Sequence, residues 1–372
     1  MARHKPAVRS LPFDTHPTAL SAPLLVWFDA HHRKLPWRSN RDPYRIWVSE
    51  VMLQQTTVTA VIPFFERFLA AFPTIVALAA ADEQRVLKLW EGLGYYRRAR
   101  HLHAAARQLV ASHPGELPND PDVWHSLPGV GRYILGAVLS QAFDRALPIV
   151  EANSLRVLAR LFGYRGDPRE GEGKAWVWSA AESMLPQKRV GDFNQALMEL
   201  GSLICTPTRP ACEKCPLAAQ CVAHSEGLQE KIPPPKRQPV ITAVSEVGIV
   251  IRRGKQILLC RRPANAGRWQ NMWEVPHAER IEGEELSVAA VRVAKELTGL
   301  TVKPGDEIIA IRHSVTRYRI TLACVEATAA KGTFAPGFYT EAKWLTVAEL
   351  ADYPVSAPQR KLVNALVSAR DG

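Results

Sequence analysis

The stretch Cys205-Thr-Pro-Thr-Arg-Pro-Ala-Cys212-Glu-Lys-Cys215-Pro-Leu-Ala-Ala-Gln-Cys221 places four thiols within 17 residues. The cysteines are separated by six, two and five residues. Four thiols this close together could bind zinc or an iron–sulfur cluster, whereas disulfides are disfavoured in a cytoplasmic protein. The spacing differs from that of the paired Cys-x2-Cys motifs of a zinc ribbon. The sequence therefore predicts a metal centre at residues 205–221, and its position divides the chain.

The chain before this segment is predicted to be almost entirely helical. From Leu20 to Ala106, apolar residues recur at spacings of three and four, which is typical of amphipathic helices. Proline and glycine interrupt the pattern at short intervals, so the connections between helices are short. We expect an all-α domain at residues 20–230, preceded by a flexible basic arm at residues 1–19.

The chain after the cysteines changes in character. The sequence Lys231-Ile-Pro-Pro-Pro-Lys-Arg-Gln-Pro239 favours an extended linker, which we place at residues 231–240. Beyond it, a run rich in valine and isoleucine at residues 242–252 and an apolar run at 256–261 flank a predicted hairpin turn. Further strands are expected at 308–311 and 319–325, with a helix near 285–297 and another at the end of the chain. Residues 241–372 therefore form a predicted α+β domain.

Composition and charge limit the class of protein. The 372 residues are 47% hydrophobic and 22% charged, which is ordinary for a soluble globular protein. No run of 18 apolar residues and no signal-peptide pattern occurs, so we expect a cytoplasmic protein without a membrane partner. The formal net charge of +11 favours a polyanionic partner such as nucleic acid.

Two glycines mark a turn that opens a helix in Leu127-Pro-Gly129-Val-Gly131-Arg-Tyr-Ile-Leu-Gly136. A turn of this kind points backbone N–H groups and a helix N-terminus at an anion, with no Cβ to block its approach. Considered alone, the turn is either an anion-binding site or a simple link between helices.

Two longer segments carry a resemblance to a known family. Leu35 to Arg38 together with Pro43-Tyr-Arg-Ile-Trp-Val-Ser-Glu-Val-Met-Leu-Gln-Gln-Thr56, and Leu89-Trp-Glu-Gly-Leu-Gly-Tyr-Tyr-Arg-Arg-Ala-Arg-His-Leu-His103, resemble MutY-type adenine DNA glycosylases of the endonuclease III superfamily. The resemblance implies a helix-hairpin-helix at about residues 125–140 and a [4Fe–4S] cluster bound by Cys205, Cys212, Cys215 and Cys221. It also implies a monomeric, nucleoid-associated enzyme whose partner is double-stranded DNA with A:8-oxoguanine or A:G mispairs.

The same resemblance assigns catalytic roles. Glu50 corresponds to the general acid that protonates N7 of a flipped adenine, and burial among apolar residues would raise its pKa. Glu151 stands where the family has an aspartate that stabilises the oxocarbenium-like sugar, and Ala152 stands where it has glycine. Asn153 and Tyr133 correspond to residues that line the sugar. Because Tyr133 occupies the place of the Schiff-base lysine of the endonuclease III branch, we predict no AP lyase activity.

The DNA contacts implied by the family come from the following residues: Gln195 and Arg38 at the adenine edge, Tyr95 and Gln55 in the base stack, and Gly129 and Gly131 at the DNA backbone. Arg97, Arg98 and Arg100 could face either phosphates or solvent.

The second domain resembles a degraded Nudix box. Arg292 and Glu296 match the box, but two helix acids that would bind Mg²⁺ are Val293 and Leu297. The missing acids argue against a hydrolase, and the resemblance to the MutY-type family implies instead that this domain recognises 8-oxoguanine through the loop that contains Thr316. The leading hypothesis is a monofunctional adenine DNA glycosylase. The alternatives are a non-catalytic, cluster-bearing mismatch-binding protein and a Nudix hydrolase of oxidised nucleotides.

Overall fold

The computed structural model describes residues 17–236 and 240–369. The predicted basic arm lies mostly outside these ranges, as do residues 237–239 of the predicted linker. The contacts between residues divide the chain into two compact units. The helical unit comprises residues 17–79 and 104–236, and the sheet unit comprises residues 80–103 and 240–369. Within the described ranges, no helix has both the length and the apolar character needed to cross a membrane.

Twelve helices are described before the linker. They are α1 (Ser21–His31), α2 (Pro43–Leu53), α3 (Val58–Ala71), α4 (Ile75–Ala80), α5 (Glu83–Trp90), α6 (Arg97–Ser112), α7 (Pro121–His125), α8 (Arg132–Phe143), α9 (Ala152–Leu161), α10 (Gly171–Ser183), α11 (Val190–Leu203) and α12 (Val222–Ser225). Short 3-10 turns precede α1 and α2 and lie between the cysteines. Helix α5 and the first residues of α6 belong to the sheet unit.

Local sequence explains where the functional helices begin. The side chain of Asp42 accepts a hydrogen bond from Tyr44 N at 2.8 Å, and Pro43 occupies the first helical position, so α2 has a well-formed N-terminus. Helix α2 packs against α3 and α8. Trp47 of α2 contacts Trp124 of α7 edge-on, with ring centroids 5.3 Å apart. These contacts fix the last turn of α2 against α8.

The sheet unit contains seven strands and two further helices. The strands are β1 (Thr242–Arg253), β2 (Gln256–Arg261), β3 (Trp273–Glu274), β4 (His277–Glu279), β5 (Thr301–Val315), β6 (Tyr318–Lys331) and β7 (Glu341–Thr346), and the helices are α13 (Leu286–Thr298) and α14 (Ala357–Ser368). The strand order is β3-β2-β1-β6-β5, with β4 paired to β1 and β7 paired to β2. β1 and β6 are parallel, and the other pairs are antiparallel.

Both faces of the central strand β1 are buried. Val247, Ile249 and Ile251 pack with α13, whereas Val250 packs with α14 on the other face. This follows from the two-residue period of a strand. The predicted class, an all-α domain followed by an α+β domain, is confirmed. The very short β3 and β4, and also β7, were not predicted from the sequence.

Candidate active site

Glu50 is a buried carboxyl in the last turn of α2, with 3% of the residue exposed. Two side chains of α8 donate hydrogen bonds to it: Gln141 Nε2 to Oε1 at 2.8 Å, and the Tyr133 hydroxyl to Oε2. Burial raises the pKa of Glu50, while the bonds from Tyr133 and Gln141 act in the opposite direction without cancelling the effect of burial. Glu50 therefore keeps its proton to a higher pH than an exposed glutamate.

Tyr133 is held in its protonated form by the same surroundings. Burial, and next the adjacent Glu50 carboxyl, raise the pKa of Tyr133 well above its ordinary value. The phenol is therefore a hydrogen-bond donor to Glu50 at all physiological pH values. Gln141 was not predicted as a site residue. The sequence does contain a signal for it, because Gln141 is an amide within the largely apolar part of α8 that follows Tyr133.

Glu151 is the N-cap of α9 and folds back onto its own helix. Its Oε1 accepts from Ser154 N at 2.7 Å, and its Oε2 accepts from Asn153 N at 2.8 Å. Ser154 Oγ in return accepts from Glu151 N at 2.9 Å, which completes a capping box. Burial raises the pKa of Glu151, the backbone N–H groups of Asn153 and Ser154 and the charge of Arg156 oppose this rise, and Glu50 adds to it. The two carboxyls therefore influence each other.

Asn153 links the Glu151 carboxylate to the interior. Its Nδ2 donates to Glu151 Oε2 at 3.1 Å, and its Oδ1 accepts from Arg156 Nη2 at 2.9 Å. Arg156 also donates to the carbonyls of Gly201 and Cys205, each at 2.7 Å. The chain of contacts thus runs from the Glu151 carboxylate through Asn153 and Arg156 to the start of the cysteine segment. Arg156 was not among the predicted site residues.

Arg38 and Gln195 lie near one face of α11. Gln195 precedes Glu199 by four residues, so both side chains lie on the same side of the helix. Glu199 accepts from Arg38 Nη2 at 3.0 Å and from Arg33 Nε at 2.8 Å. Burial alone would raise the pKa of Glu199, but the bonds from Arg33 and Arg38 outweigh burial and lower it to about 2. The Glu199 carboxylate therefore stays ionised and fixes the Arg38 guanidinium.

The glycine turn predicted from the sequence joins α7 to α8. Gly129 has φ of 76°, which a residue with a side chain adopts only with strain. Gly131 is the N-cap of α8 with φ of −93°, and a Cβ placed there would meet no atom within 4 Å. The backbone N–H groups at the start of α8 are thus open to an approaching anion.

The four cysteines of residues 205–221 lie beside the helical core, which Cys205, Cys215 and Cys221 contact directly. Burial raises the pKa of Cys215 to about 12, and the other three thiols add to this rise, so the four sulfurs are close enough to interact. The Sγ of Cys205 accepts from Arg160 Nη1 at 3.3 Å. Among the described residues, no group of three cysteine, histidine or acidic side chains converges closely enough to hold a single metal ion.

These neighbouring thiols nevertheless fit a thiolate-bound group in donor chemistry, because they are free, partly exposed and faced by a buried arginine. Cys260 and Cys324 are fully buried in β2 and β6, where they belong to the core of the sheet unit.

Three other residues predicted to contact DNA share an unusual backbone conformation. Gln55, Tyr95 and Thr316 have φ values of 62°, 47° and 55°, and each of the three is exposed. A left-handed backbone costs about 1–3 kcal/mol at a residue other than glycine, and such positions cluster at functional sites. Thr316 lies in the two-residue turn between β5 and β6, where Val315 pairs with Tyr318. Gln55 belongs to the helical unit, whereas Tyr95 and Thr316 belong to the sheet unit.

Comparison with known proteins identifies two family domains. Residues 48–181 match the model of the HhH-GPD superfamily base excision DNA repair proteins, and residues 246–365 match the NUDIX domain. The chain is 32% identical to a Rattus norvegicus adenine DNA glycosylase over 95% of this chain and 79% of the relative. It is 35% identical to a Buchnera aphidicola adenine DNA glycosylase over 68% of this chain and 73% of the relative.

A solved structure agrees with these matches for the helical part. A thermostable thymine-DNA glycosylase has a TM-score of 0.51 and 28% identity, covering 57% of this chain and 97% of that one. The resemblance predicted from the segments around Glu50 and Tyr95 is confirmed. The chain therefore belongs to the adenine DNA glycosylase family, in which an HhH-GPD base-excision domain is followed by a NUDIX domain.

Proposed function

We propose that this chain is a monofunctional adenine DNA glycosylase that removes adenine mispaired with 8-oxoguanine or guanine, acting as a monomer on double-stranded DNA. The observation that carries the proposal is the buried Glu50 carboxyl, whose pKa is raised and whose oxygens are both held by α8. Homologous adenine DNA glycosylases that cover most of the chain support it. As a soluble repair enzyme it would act in the cytoplasm at the nucleoid.

The reaction follows from the protonation states of two carboxyls. Glu50 donates its proton to N7 of an adenine flipped out of the duplex, and the electron pair of the glycosidic bond then passes into the departing base. The sugar becomes oxocarbenium-like, a water adds at C1′, and one proton is lost. Glu151 stabilises the positive sugar as a carboxylate. Burial raises the pKa of Glu151, but its two backbone N–H donors and Asn153 Nδ2 favour the charged form that this role requires.

Strand cleavage is not expected from this site. Tyr133 donates its hydroxyl to Glu50 and offers no amine to form an imine with the abasic sugar. Efficient borohydride trapping of the protein on abasic DNA would contradict this part of the proposal.

A [4Fe–4S] cluster is proposed at Cys205, Cys212, Cys215 and Cys221. When bound, it supplies a structural cross-link for the segment that presents Arg209 and Lys214, and no step of base removal depends on it. The proximity of the four thiols and the hydrogen bond from Arg160 to Cys205 support the assignment. About four iron and four labile sulfide ions for each purified chain are expected, and zinc in their place would contradict the assignment.

The sheet unit is proposed to read the base opposite adenine through the hairpin tip at Thr316. The alternative of a NUDIX hydrolase is disfavoured. Val293 of α13 stands where the box would have a metal-binding acid, and its side chain is fully buried in the core. Glu284 and Glu296, which could otherwise bind Mg²⁺, are both paired with Arg292.

Single-turnover release of adenine from A:8-oxoguanine and A:G duplexes tests the function directly. Glu50→Gln should slow release by about 10²- to 10⁴-fold, since it removes a general acid. Glu116→Gln, at an exposed residue outside the site, serves as the matched control and should keep the wild-type rate. Tight mismatch binding by the wild type without adenine release would instead favour the non-catalytic alternative.

A further inference from the structure

The segment that carries Tyr95 is attached to the NUDIX domain by side-chain hydrogen bonds. On α5, Gln84 Nε2 donates to the carbonyl of Asn271 at 3.0 Å, and Gln84 Oε1 accepts from Trp273 Nε1 at 2.9 Å. Glu83 Oε1 accepts from Asn271 Nδ2 at 2.6 Å. The whole Gln84 amide is therefore used in this contact. Helix α5 is thereby fixed to the strand and loop that contain residues 271–273.

Two further attachments, at Glu91 and Tyr96, lie within four residues of Tyr95. Arg360 of α14 forms a two-bond ion pair with Glu91, with Nη2 to Oε2 at 2.9 Å and Nε to Oε1. The Tyr96 hydroxyl donates to the carbonyl of Val355 at 3.2 Å, and Tyr96 is 6% exposed. The side chains of Arg360 and Glu91 are only 22% and 12% exposed, so this pair is better shielded from water than an ordinary surface ion pair.

The loop between these attachments has little freedom of its own. Trp90 Nε1 donates to the carbonyl of Gly94 at 3.1 Å, and Arg98 Nη2 donates to the carbonyls of Leu93 and Gly94 at 3.3 Å. The Arg98 guanidinium lies 5.4 Å from the centroid of the Tyr95 ring. Tyr95 itself is 59% exposed on a left-handed backbone. Its outward position therefore depends on the anchored residues on either side of it.

The same loop of the NUDIX domain also contacts the hairpin proposed to read the opposite base. Trp269, two residues before Asn271, packs against His313 of β5 with ring centroids 6.2 Å apart. His313 precedes the hairpin tip at Thr316 by three residues. The support of the Tyr95 segment and the base of the hairpin thus belong to one continuous set of contacts.

We propose that Arg360 and the carbonyl of Val355 are positioning groups of the NUDIX domain that hold Tyr95 for insertion into the DNA stack. The domain then has a second role, which is to help open the mispair, beside reading the base opposite adenine. The inference rests on the proposed function, in which Tyr95 enters the stack beside the mispair. Arg360 acts through Glu91 and does not itself contact the reacting atoms.

The test replaces Arg360 in the full-length protein. Arg360→Met should slow single-turnover adenine release by about tenfold or more, because a displacement of about 1 Å in a positioning contact is costly. Arg360→Lys, which keeps the charge, should recover part of the rate. Arg292→Met is the matched control: Arg292 forms a similar two-bond pair with Glu284 in the same domain, away from residues 80–103, and its loss should leave release unchanged.

A double-mutant cycle with Tyr95→Ala distinguishes a positioning effect on Tyr95 from a general loss of stability or folding. If Arg360 acts through Tyr95, Arg360→Met should have no further effect on release when Tyr95 is already alanine. Equal effects of Arg360→Met in both backgrounds, or a wild-type rate with Arg360→Met alone, would overturn the proposal.

Fluorescence of 2-aminopurine opposite 8-oxoguanine provides a readout without catalysis. The wild type should increase it on binding, and Arg360→Met should reduce that increase, whereas an unchanged increase contradicts the positioning role. If the wild type unstacks the base but releases no adenine, the proposed function fails while the positioning role survives.

Discussion

At the scale of single residues, the surroundings of Glu50 favour the protonated form that the proposed general acid requires. The buried position raises its pKa, whereas Tyr133, Gln141 and Arg38 all favour its ionised form. The balance of these effects makes catalysis dependent on pH. As pH rises through the raised pKa of Glu50, the proton is lost and the rate of adenine release should fall.

Tyr133→Phe tests this balance. Removal of the hydroxyl takes away a hydrogen bond that lowers the pKa of Glu50, so the pKa should rise further and the alkaline fall in rate should move to higher pH. The maximum rate should drop as well, because Glu50 loses part of its support. Gln141→Leu should shift the profile in the same direction by a smaller amount, since its bond has the lesser effect. A pH profile of single-turnover release measures both, and a shift to lower pH would contradict the assignment of Glu50 as the acid.

Glu151 is one methylene longer than the aspartate that the resemblance to the family implies at this position. The extra methylene is accommodated because the side chain turns back and accepts from the N–H groups of Asn153 and Ser154. The helix N-terminus and Asn153 then face its charge. The sequence could show the substitution, but not this capping arrangement, which depends on the backbone at the start of α9.

Glu151→Gln separates the charge of this residue from its capping role. The amide oxygen can still cap α9, so the melting temperature should change by only a few degrees. Adenine release should fall by about a hundredfold or more, because the carboxylate proposed to stabilise the positive sugar in the transition state is lost. Single-turnover kinetics and thermal unfolding of the same samples check both expectations, and release near the wild-type rate would remove Glu151 from the mechanism.

At the scale of elements, the two glycines of the turn before α8 differ in what they are expected to do: Gly129 shapes the backbone, and Gly131 leaves room for the DNA backbone. Gly129 needs its left-handed backbone, whereas Gly131 does not and has open space where a Cβ would lie. Gly131→Ala should therefore fold normally but obstruct the approach of a phosphate, which weakens binding to all duplexes alike. Gly129→Ala should in addition lower the free energy of unfolding by about 1–3 kcal/mol.

Equilibrium binding to matched and mismatched duplexes, with thermal unfolding, distinguishes these two variants. Gly131→Ala should lose about tenfold in affinity for both duplexes. A loss of this size corresponds to about one phosphate contact and the counterion release that accompanies it. An affinity loss confined to the mismatched duplex would show that the turn does more than grip the backbone.

Elements with a strong local pattern were predictable, and contacts distant in sequence were not. β1 is rich in valine and isoleucine and β2 has the apolar run Ile257-Leu-Leu-Cys260, and their predicted bounds differ from the structure by at most one residue. β3 has only two residues, too few to show a period. Gln141 meets Glu50 only because α8 packs on α2, and this packing has no signature within either helix.

At the scale of the whole molecule, the order of segments along the chain differs from their grouping in space. The sequence expectation placed residues 80–103 within the helical domain at 20–230. In the structure, the contacts of Gln84, Glu91 and Tyr96 group this segment with the residues after the linker. No composition change marks the segment, because its partners lie about 170 to 270 positions later in the chain.

A chain shortened to residues 1–236 should therefore lose order in one internal segment and not only at its new end. Residues 83–98 would lose the bonds from Asn271, Trp273 and Arg360, each worth about 1 kcal/mol or more. Their backbone amides should then exchange with deuterium at least about tenfold faster than in the full chain. Amides of α2 and α8, which pack on each other within the helical unit, serve as the internal control and should exchange at unchanged rates. Equal protection of residues 83–98 in both chains would mean that this segment is stable without the NUDIX domain, and that Tyr95 is positioned by its own loop alone.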